Sequence, residues 1–198
     1  MTHNKLKIRN KHFTVSIFGS ARTQMSEDNA KLAFDIAEHL AKKEYNVVTG
    51  GGPGIMKAAN AGHNAGDPEN KTDSVGLTIQ LPWEAGMNSS VEKQKHFQNF
   101  SNRLDTFMKL SNAVVVMPGG IGTCLELFFT WQLIQVRHID PMPIIVVGEM
   151  WEQLIKWVKD YPLANGLISE KDMIHVHVVH TVEDVLKIVE NFKNSTKK

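Results

Sequence analysis

The sequence predicts an α/β protein: a doubly wound, Rossmann-like parallel sheet built as a single domain. Three observations predict it. Short β-branched runs alternate with longer segments of helical period, several runs are apolar on both faces, and three run directly into glycine-rich turns. Such alternation gives parallel strands joined by right-handed helical crossovers. Strands that are apolar on both faces are those covered by helices on both sides.

The elements follow in chain order. Phe13 to Phe18 reads as the first strand. Glu27 to Lys43 then reads as a helix, because Leu32, Ile36, Ala37 and Leu40 fall on one stripe. Asn46 to Thr49 is the next strand and Ile55 to Ala65 the next helix. Gly66 to Asp73 is polar and turn-rich, which predicts a surface loop. Val75 to Leu81 reads as a strand, Asn99 to Leu110 as a helix, Ala113 to Met117 as a strand and Thr123 to Val136 as a helix. Asp140 to Pro143 leads tightly into a strand at Ile144 to Val147, followed by a helix at Trp151 to Lys159. A last strand near Ile174 to Val179 precedes a helix from Val182 to Phe192. Thr181 is its expected cap, with Asp184 as the acidic residue of the first turn. The domain is expected to span residues 1–198, with frayed tails at Met1 to Asn10 and Asn194 to Lys198.

Composition narrows the function classes. A chain of 198 residues can bury a sizeable core. With 22 basic and 21 acidic residues, the formal net charge is +1, so no general electrostatic attraction to nucleic acid is expected. Met1 to His12 is polar and basic with no apolar stretch behind it, unlike a secretory signal. The longest apolar runs, such as Ala113 to Met117, are far too short for a membrane span, so no membrane partner is expected. The single cysteine, Cys124, has no intramolecular disulfide partner. A cytoplasmic setting is the resulting expectation.

The glycine turns carry the functional signal. In an open α/β sheet, ligands bind beyond the carboxyl ends of the strands, where glycine lets backbone approach them. Here the strand ends read Phe18-Gly19-Ser20-Ala21-Arg22, Thr49-Gly50-Gly51-Gly52-Pro53-Gly54 and Met117-Pro118-Gly119-Gly120-Ile121-Gly122-Thr123. The first lacks the Gly-x-Gly-x-x-Gly dinucleotide fingerprint, and no Lys-Ser or Lys-Thr pair follows the glycines as in a Walker loop. The third turn nevertheless has the makings of a phosphate cradle formed by Gly119, Gly120, Ile121, Gly122 and Thr123. Free backbone N–H groups at a helix start, together with the helix dipole, favour an anion. Thr123 is expected to cap that helix and add a hydroxyl donor.

Pro118 to Glu126 matches the signature Pro-Gly-Gly-x-Gly-Thr-x-x-Glu of the Lonely Guy (LOG) family at every fixed position. Phe18 to Arg22 resembles the Phe-Gly-Ser-Ala-Arg opening of one branch of that family, and Gly50 to Met56 resembles its Gly-Gly-Gly-Pro-Gly-Ile-Met turn. Leu81-Pro82-Trp83-Glu84 is similar to its Leu-Pro-Phe-Glu segment. The resemblance runs in family order from about Val15 to Gly148. Some members have carried the label lysine decarboxylase, but no lysine context here supports a pyridoxal-phosphate site. One departure is visible: the family commonly has an Arg-Lys pair on the helix before the signature, and this chain has Arg103-Leu104. That bears on hydrolytic efficiency and substrate preference.

The resemblance implies Arg103 and Glu126 as the catalytic pair. Arginine stays protonated and is no base, so Arg103 would hold phosphate or ribose and orient Glu126. Glu126, expected in the first turn of its helix, would stay ionised, position water and stabilise an oxocarbenium-like transition state. The plain alternative is a salt bridge joining two helices. The nucleotide pocket is expected to include Gly19, Ser20, Gly50, Gly51, Gly52, Gly54, Glu84 and Phe100. Phe100 would stack on the base, or else pack in the core; Glu84 would reach ribose hydroxyls, or else lie solvated. Cys124 reads as a small packed residue. His175, His177 and His180 lack a carboxylate or cysteine to complete a metal set, so no metal is expected.

The implied activity is hydrolysis of a nucleoside 5′-monophosphate, AMP or a cytokinin riboside monophosphate, to free base and ribose 5-phosphate. Water is the second substrate and no cofactor is needed. The competing reading is a LOG-like carrier or sensor that holds a nucleotide or phosphorylated cofactor without turnover. The resemblance also implies a homodimer, for which the apolar helix from Leu125 to Val136 offers a surface; the alternative role of that helix is core.

Overall fold

The strands of the computed structural model are β1 (Thr14–Phe18), β2 (Asn46–Thr49), β3 (Ser74–Ile79), β4 (Lys93–Phe97), β5 (Ala113–Val116), β6 (Ile144–Val147) and β7 (Val176–Val179). The residues described are 9, 12–79 and 87–196. All seven strands form one parallel sheet in the order β4-β3-β2-β1-β5-β6-β7. The chain winds outward from β1 to one edge, returns to β5 beside β1, and winds to the other edge. The fold class expected from the sequence is therefore the one observed.

Helices cover both faces because alternate strand residues are apolar on each side. Val15, Ile17, Val47 and Val115 pack with residues of α1 (Asp28–Lys42), α2 (Ile55–Gly66) and α7 (Val182–Ser195). Phe18, Val48, Val114 and Val116 pack instead with residues of α3 (Phe100–Leu110), α4 (Ile121–Gln135) and α5 (Glu149–Val158). Phe107 and Trp151 are fully buried on that second side; each such side chain contributes about 1.5–3 kcal/mol or more through burial. The two helices α1 and α2 touch backbone to backbone: a methyl at Gly62 would come within 2.9 Å of Phe34 Cα.

Several elements differ from the sequence expectations. Lys93-Gln94-Lys95-His96-Phe97 forms β4, which its polar composition concealed. It is an edge strand, where charged side chains are favoured because they discourage further pairing. Glycine at 120 and 122 suggested a loop, yet α4 begins at Ile121 with Gly120 at the N-cap, so Thr123 lies inside the helix and is not its cap. A π turn (Lys159–Leu163) and a short helix, α6 (Glu170–Met173), fill the stretch between α5 and β7. Thr181 does cap α7, accepting from the Asp184 amide at 3.2 Å, and α7 continues to Ser195 rather than fraying at Asn194. The loop after α2 is exposed only at its tip, since Asp67, Thr72 and Asp73 are buried. The expected tail from Met1 to Asn10 lies outside the described residues except for Arg9, as do Gln80 to Gly86 and Lys197–Lys198. Among the described residues, no helix is long and apolar enough to cross a membrane.

Candidate active site

Because the sheet is parallel, the turns after β1, β2 and β5 lie at one edge. Strand β1 pairs with both β2 and β5, so the three are immediate neighbours. Hydrogen bonds tie them together: Ser20 N donates to Pro118 O at 3.1 Å, Ile55 N to Ser20 O at 3.0 Å, and Met117 N to Phe18 O at 2.8 Å. Gly54 is required where it stands: its φ is +66°, and a methyl there would sit 2.7 Å from the Ala21 carbonyl carbon. The turns meet where the winding direction reverses, which is where open α/β sheets bind ligands. The expected neighbours Gly19, Ser20, Gly50, Gly51, Gly52 and Gly54 are thus brought to the edge that carries the third turn.

The turn after β2 is held by a buried amide network that the sequence reading missed. Thr49 Oγ1 donates to Asn60 Oδ1 (2.7 Å) and accepts from Gly51 N (3.0 Å). Asn60 Nδ2 donates to Ser74 Oγ (2.9 Å), and Asn88 Nδ2 donates to Gly52 O (2.8 Å). Asn60 is fully buried. The available signal was an asparagine on the apolar face of α2, beside Ala58 and Ala59.

The third turn ends in the bare N-terminus of α4. Gly120 occupies the N-cap and no side chain caps the helix, leaving the amides of Ile121, Gly122 and Thr123 as its first three donors. A methyl on Gly120 or Gly122 would meet nothing within 4 Å, so the space before these amides is open. Thr123 is buried, and Gly119 is required beside it: a methyl there would fall 2.6 Å from Thr123 Cβ. Free donors at the positive end of a helix dipole are an arrangement that favours an anion.

Arg103 and Glu126 meet between α3 and α4. Arg103 Nη1 lies 3.6 Å from Glu126 Oε1, and both side chains are largely buried. Arg103 Nε donates to the Leu77 carbonyl at 2.6 Å, and its guanidinium carbon lies 5.3 Å from the Phe107 ring centre. Glycine at 50 leaves room for this guanidinium: a methyl there would overlap Nη2 and lie 2.6 Å from Met56 Sδ. With α4 starting at Ile121, Glu126 falls in the second turn, so neither first-turn dipole stabilisation nor a capping role explains it. Helix geometry instead places it four residues after Gly122, on the same face, with side chains leaning toward the N-terminus. The carboxylate therefore belongs to the side of α4 on which the open glycine faces the cradle.

The remaining expected residues are placed as follows. Phe100 opens α3 and is 48% exposed, which removes the core alternative. Leu104, at the position of the family lysine, is buried. Glu84 lies outside the described residues. Cys124 is half-buried. His175 and His177 line one cavity with Phe192, whereas His180 pairs with Glu152 at 3.0 Å. Among the described residues, no three or more His, Cys, Asp or Glu side chains are grouped to hold a metal.

A family model described as "possible lysine decarboxylase" matches residues 56–189. Over 130 residues, 63% of this chain, the sequence is 26% identical to the pyrimidine/purine nucleotide 5′-monophosphate nucleosidase of Escherichia coli K12. The match spans 29% of that longer protein. A solved molybdenum cofactor binding protein from Rippkaea orientalis is similar in fold, with a TM-score of 0.64 at 18% identity, over 91% of this chain and 96% of that one. The molybdenum cofactor carrier protein of Chlamydomonas reinhardtii gives a TM-score of 0.66 at 17% identity, over 92% and 99% respectively. At these identities the structural likeness is one of fold alone.

Proposed function

Because the chain belongs to the family described as possible lysine decarboxylase and is LOG-like, we propose that it hydrolyses the N-glycosidic bond of a nucleoside 5′-monophosphate, with AMP or a cytokinin riboside monophosphate as substrate. The observation that carries this reading is the ion pair between Arg103 of α3 and Glu126 of α4, the helix whose open, uncapped N-terminus suits an anion. The 26% identity to a nucleotide 5′-monophosphate nucleosidase supports the same class of hydrolase.

In this reading the phosphate rests on the amides of Gly119 to Thr123. Phe100, exposed at the start of α3, stacks on the base. The C1′–N bond breaks with its electron pair going to the base, positive charge develops on ribose, and the Glu126 carboxylate stabilises it. Water then adds its oxygen to C1′ and its proton balances the departing base, giving ribose 5-phosphate. Arg103, fixed by Leu77 O and Phe107, holds Glu126 in position. The three turns and the stretch to Glu126 contain no lysine, so they offer no Schiff-base partner for decarboxylation.

The protein is proposed to act in the cytoplasm as a homodimer. Ile121, Leu125 and Phe128 form an exposed apolar stripe along α4, spaced as one helix face. The test of function is incubation with a panel of nucleoside monophosphates, following free base by chromatography. Release of base with ribose 5-phosphate supports hydrolysis. Binding without release would support the carrier reading instead.

A further inference from the structure

Asn88 occupies an unusual junction. It lies in the β3–β4 connection, is 7% exposed, and uses its backbone and side chain to grip the glycine turn after β2. Its amide N donates to Gly51 O at 2.9 Å, and Nδ2 donates to Gly52 O at 2.8 Å and to Asn60 Oδ1 at 3.2 Å. Its Oδ1 accepts from Ser90 N at 3.0 Å, turning the chain toward β4. Asn60 in turn links the same network to Thr49 and Ser74. One residue therefore fixes two consecutive carbonyls of the turn, Gly51 O through its backbone N–H and Gly52 O through its side chain.

We infer that Asn88 is a positioning residue for the nucleotide pocket, acting through the Gly51–Gly52 turn and not by touching substrate. Buried polar networks of this kind are rigid when every member is paired, and loosen when one donor is removed. The glycines have no side chains of their own to set the turn's orientation, so it depends on the two donations to the Gly51 and Gly52 carbonyls together with the bond from Gly51 N to Thr49 Oγ1. Arg103 is fixed separately, by Leu77 O and the Phe107 ring. The network thus governs how well the nucleotide is held, while the carboxylate that acts on the sugar keeps its own support. The inference rests on the proposed nucleotide site.

Two variants and two readouts test it. Asn88→Ala removes the side-chain donations; Asn88→Asp keeps the shape and the acceptor for Ser90 N but removes the donor facing Gly52 O. Each should raise KM for the best nucleoside monophosphate by roughly tenfold, the scale of lost buried hydrogen bonds, with kcat within about twofold. Hydrogen–deuterium exchange without ligand should quicken at residues 51–55 and stay unchanged at 119–123. A purely structural role would lower the melting temperature while leaving KM of the folded protein unchanged, and that result overturns the inference. So does wild-type KM in Asn88→Asp, which would reduce the role to packing. If the wild type releases no base from any nucleotide, the functional proposal fails, and the exchange pattern alone decides the role of Asn88: unchanged exchange at residues 51–55 in Asn88→Ala overturns it.

Discussion

Arg103 reaches Glu126 from the neighbouring helix at 3.6 Å while its Nε is bonded to Leu77 O at 2.6 Å. The arginine is thus anchored to the sheet and carries the carboxylate's position with it. A surface ion pair would contribute little, but this one is largely buried and has an additional hydrogen bond to hold its geometry. It connects β3, α3 and α4, the elements that surround the proposed sugar site.

Gly50→Ala tests that anchoring. The new methyl would overlap the arginine's Nη2 and crowd Met56 Sδ at 2.6 Å. Both atoms end flexible side chains, so the fold survives by moving them. Displacing Arg103 then misplaces Glu126, and kcat should fall by about tenfold or more, as expected for misaligned catalytic groups. A folded variant with unchanged kcat would contradict the coupling.

The cradle makes a separate prediction. AMP should bind better than adenosine, because only the nucleotide places a phosphate on the amides. Gly120→Ala is the discriminating variant, since its methyl meets no protein atom within 4 Å and the backbone there has φ −92° and ψ −156°. Stability should change by at most about 1 kcal/mol, the scale of an altered N-cap. Calorimetry should nevertheless show weakened AMP binding. Equal affinity for AMP and adenosine would leave the cradle without a role.

The dependence of stability on pH follows from buried His63 and the half-buried His175 and His177. Burial lowers the pKa of His63, outweighing the opposite pull of Glu92 and Asp67. Burial also lowers His175 and His177, the latter further through His175. Above the ordinary value of about 6.5, these groups are neutral in both folded and unfolded chains. As pH falls below it, the unfolded chain takes up protons that the folded protein resists, so stability declines. Each group contributes a slope of at most about 1.4 kcal/mol per pH unit. Urea midpoints should drop between pH 7 and 5.5, and His63→Gln should flatten the decline. A midpoint independent of pH over that range would contradict the assignment.

Much of this was legible from residues close in sequence. The short apolar runs marked six of the seven strands of the sheet, and Pro118 to Glu126 carried the proposed cradle and carboxylate together. The edge strand β4 was not legible because Lys93, Gln94, Lys95 and His96 carry no buried apolar pattern. Glycines at 120 and 122 hid the true start of α4, and Thr123, an attractive cap by type, is instead packed beside Gly119. Asn60 and Asn88 were missed for a different reason: the side-chain bonds that tie them to the turn after β2 span 11 to 36 residues of sequence, so only the fold reveals them.

Association can be checked without substrate. Light scattering should give a dimer at micromolar concentration, and Phe128→Glu should shift it toward monomer by placing a charge on the exposed α4 stripe. A monomeric wild type would contradict the proposed assembly.

Glu126→Gln addresses the central claim. Glutamate and glutamine have similar helix propensities, and the amide oxygen can still accept from Arg103, so the fold should lose only about 1 kcal/mol. The amides that hold phosphate are untouched, and AMP should still bind. The negative charge facing the sugar is gone, so base release should fall by roughly 100-fold or more. The decisive measurement is the single-turnover rate of base release from bound nucleoside monophosphate, compared between wild type and Glu126→Gln. A folded, nucleotide-bound variant with almost no release is the predicted result; release at the wild-type rate would contradict the mechanism.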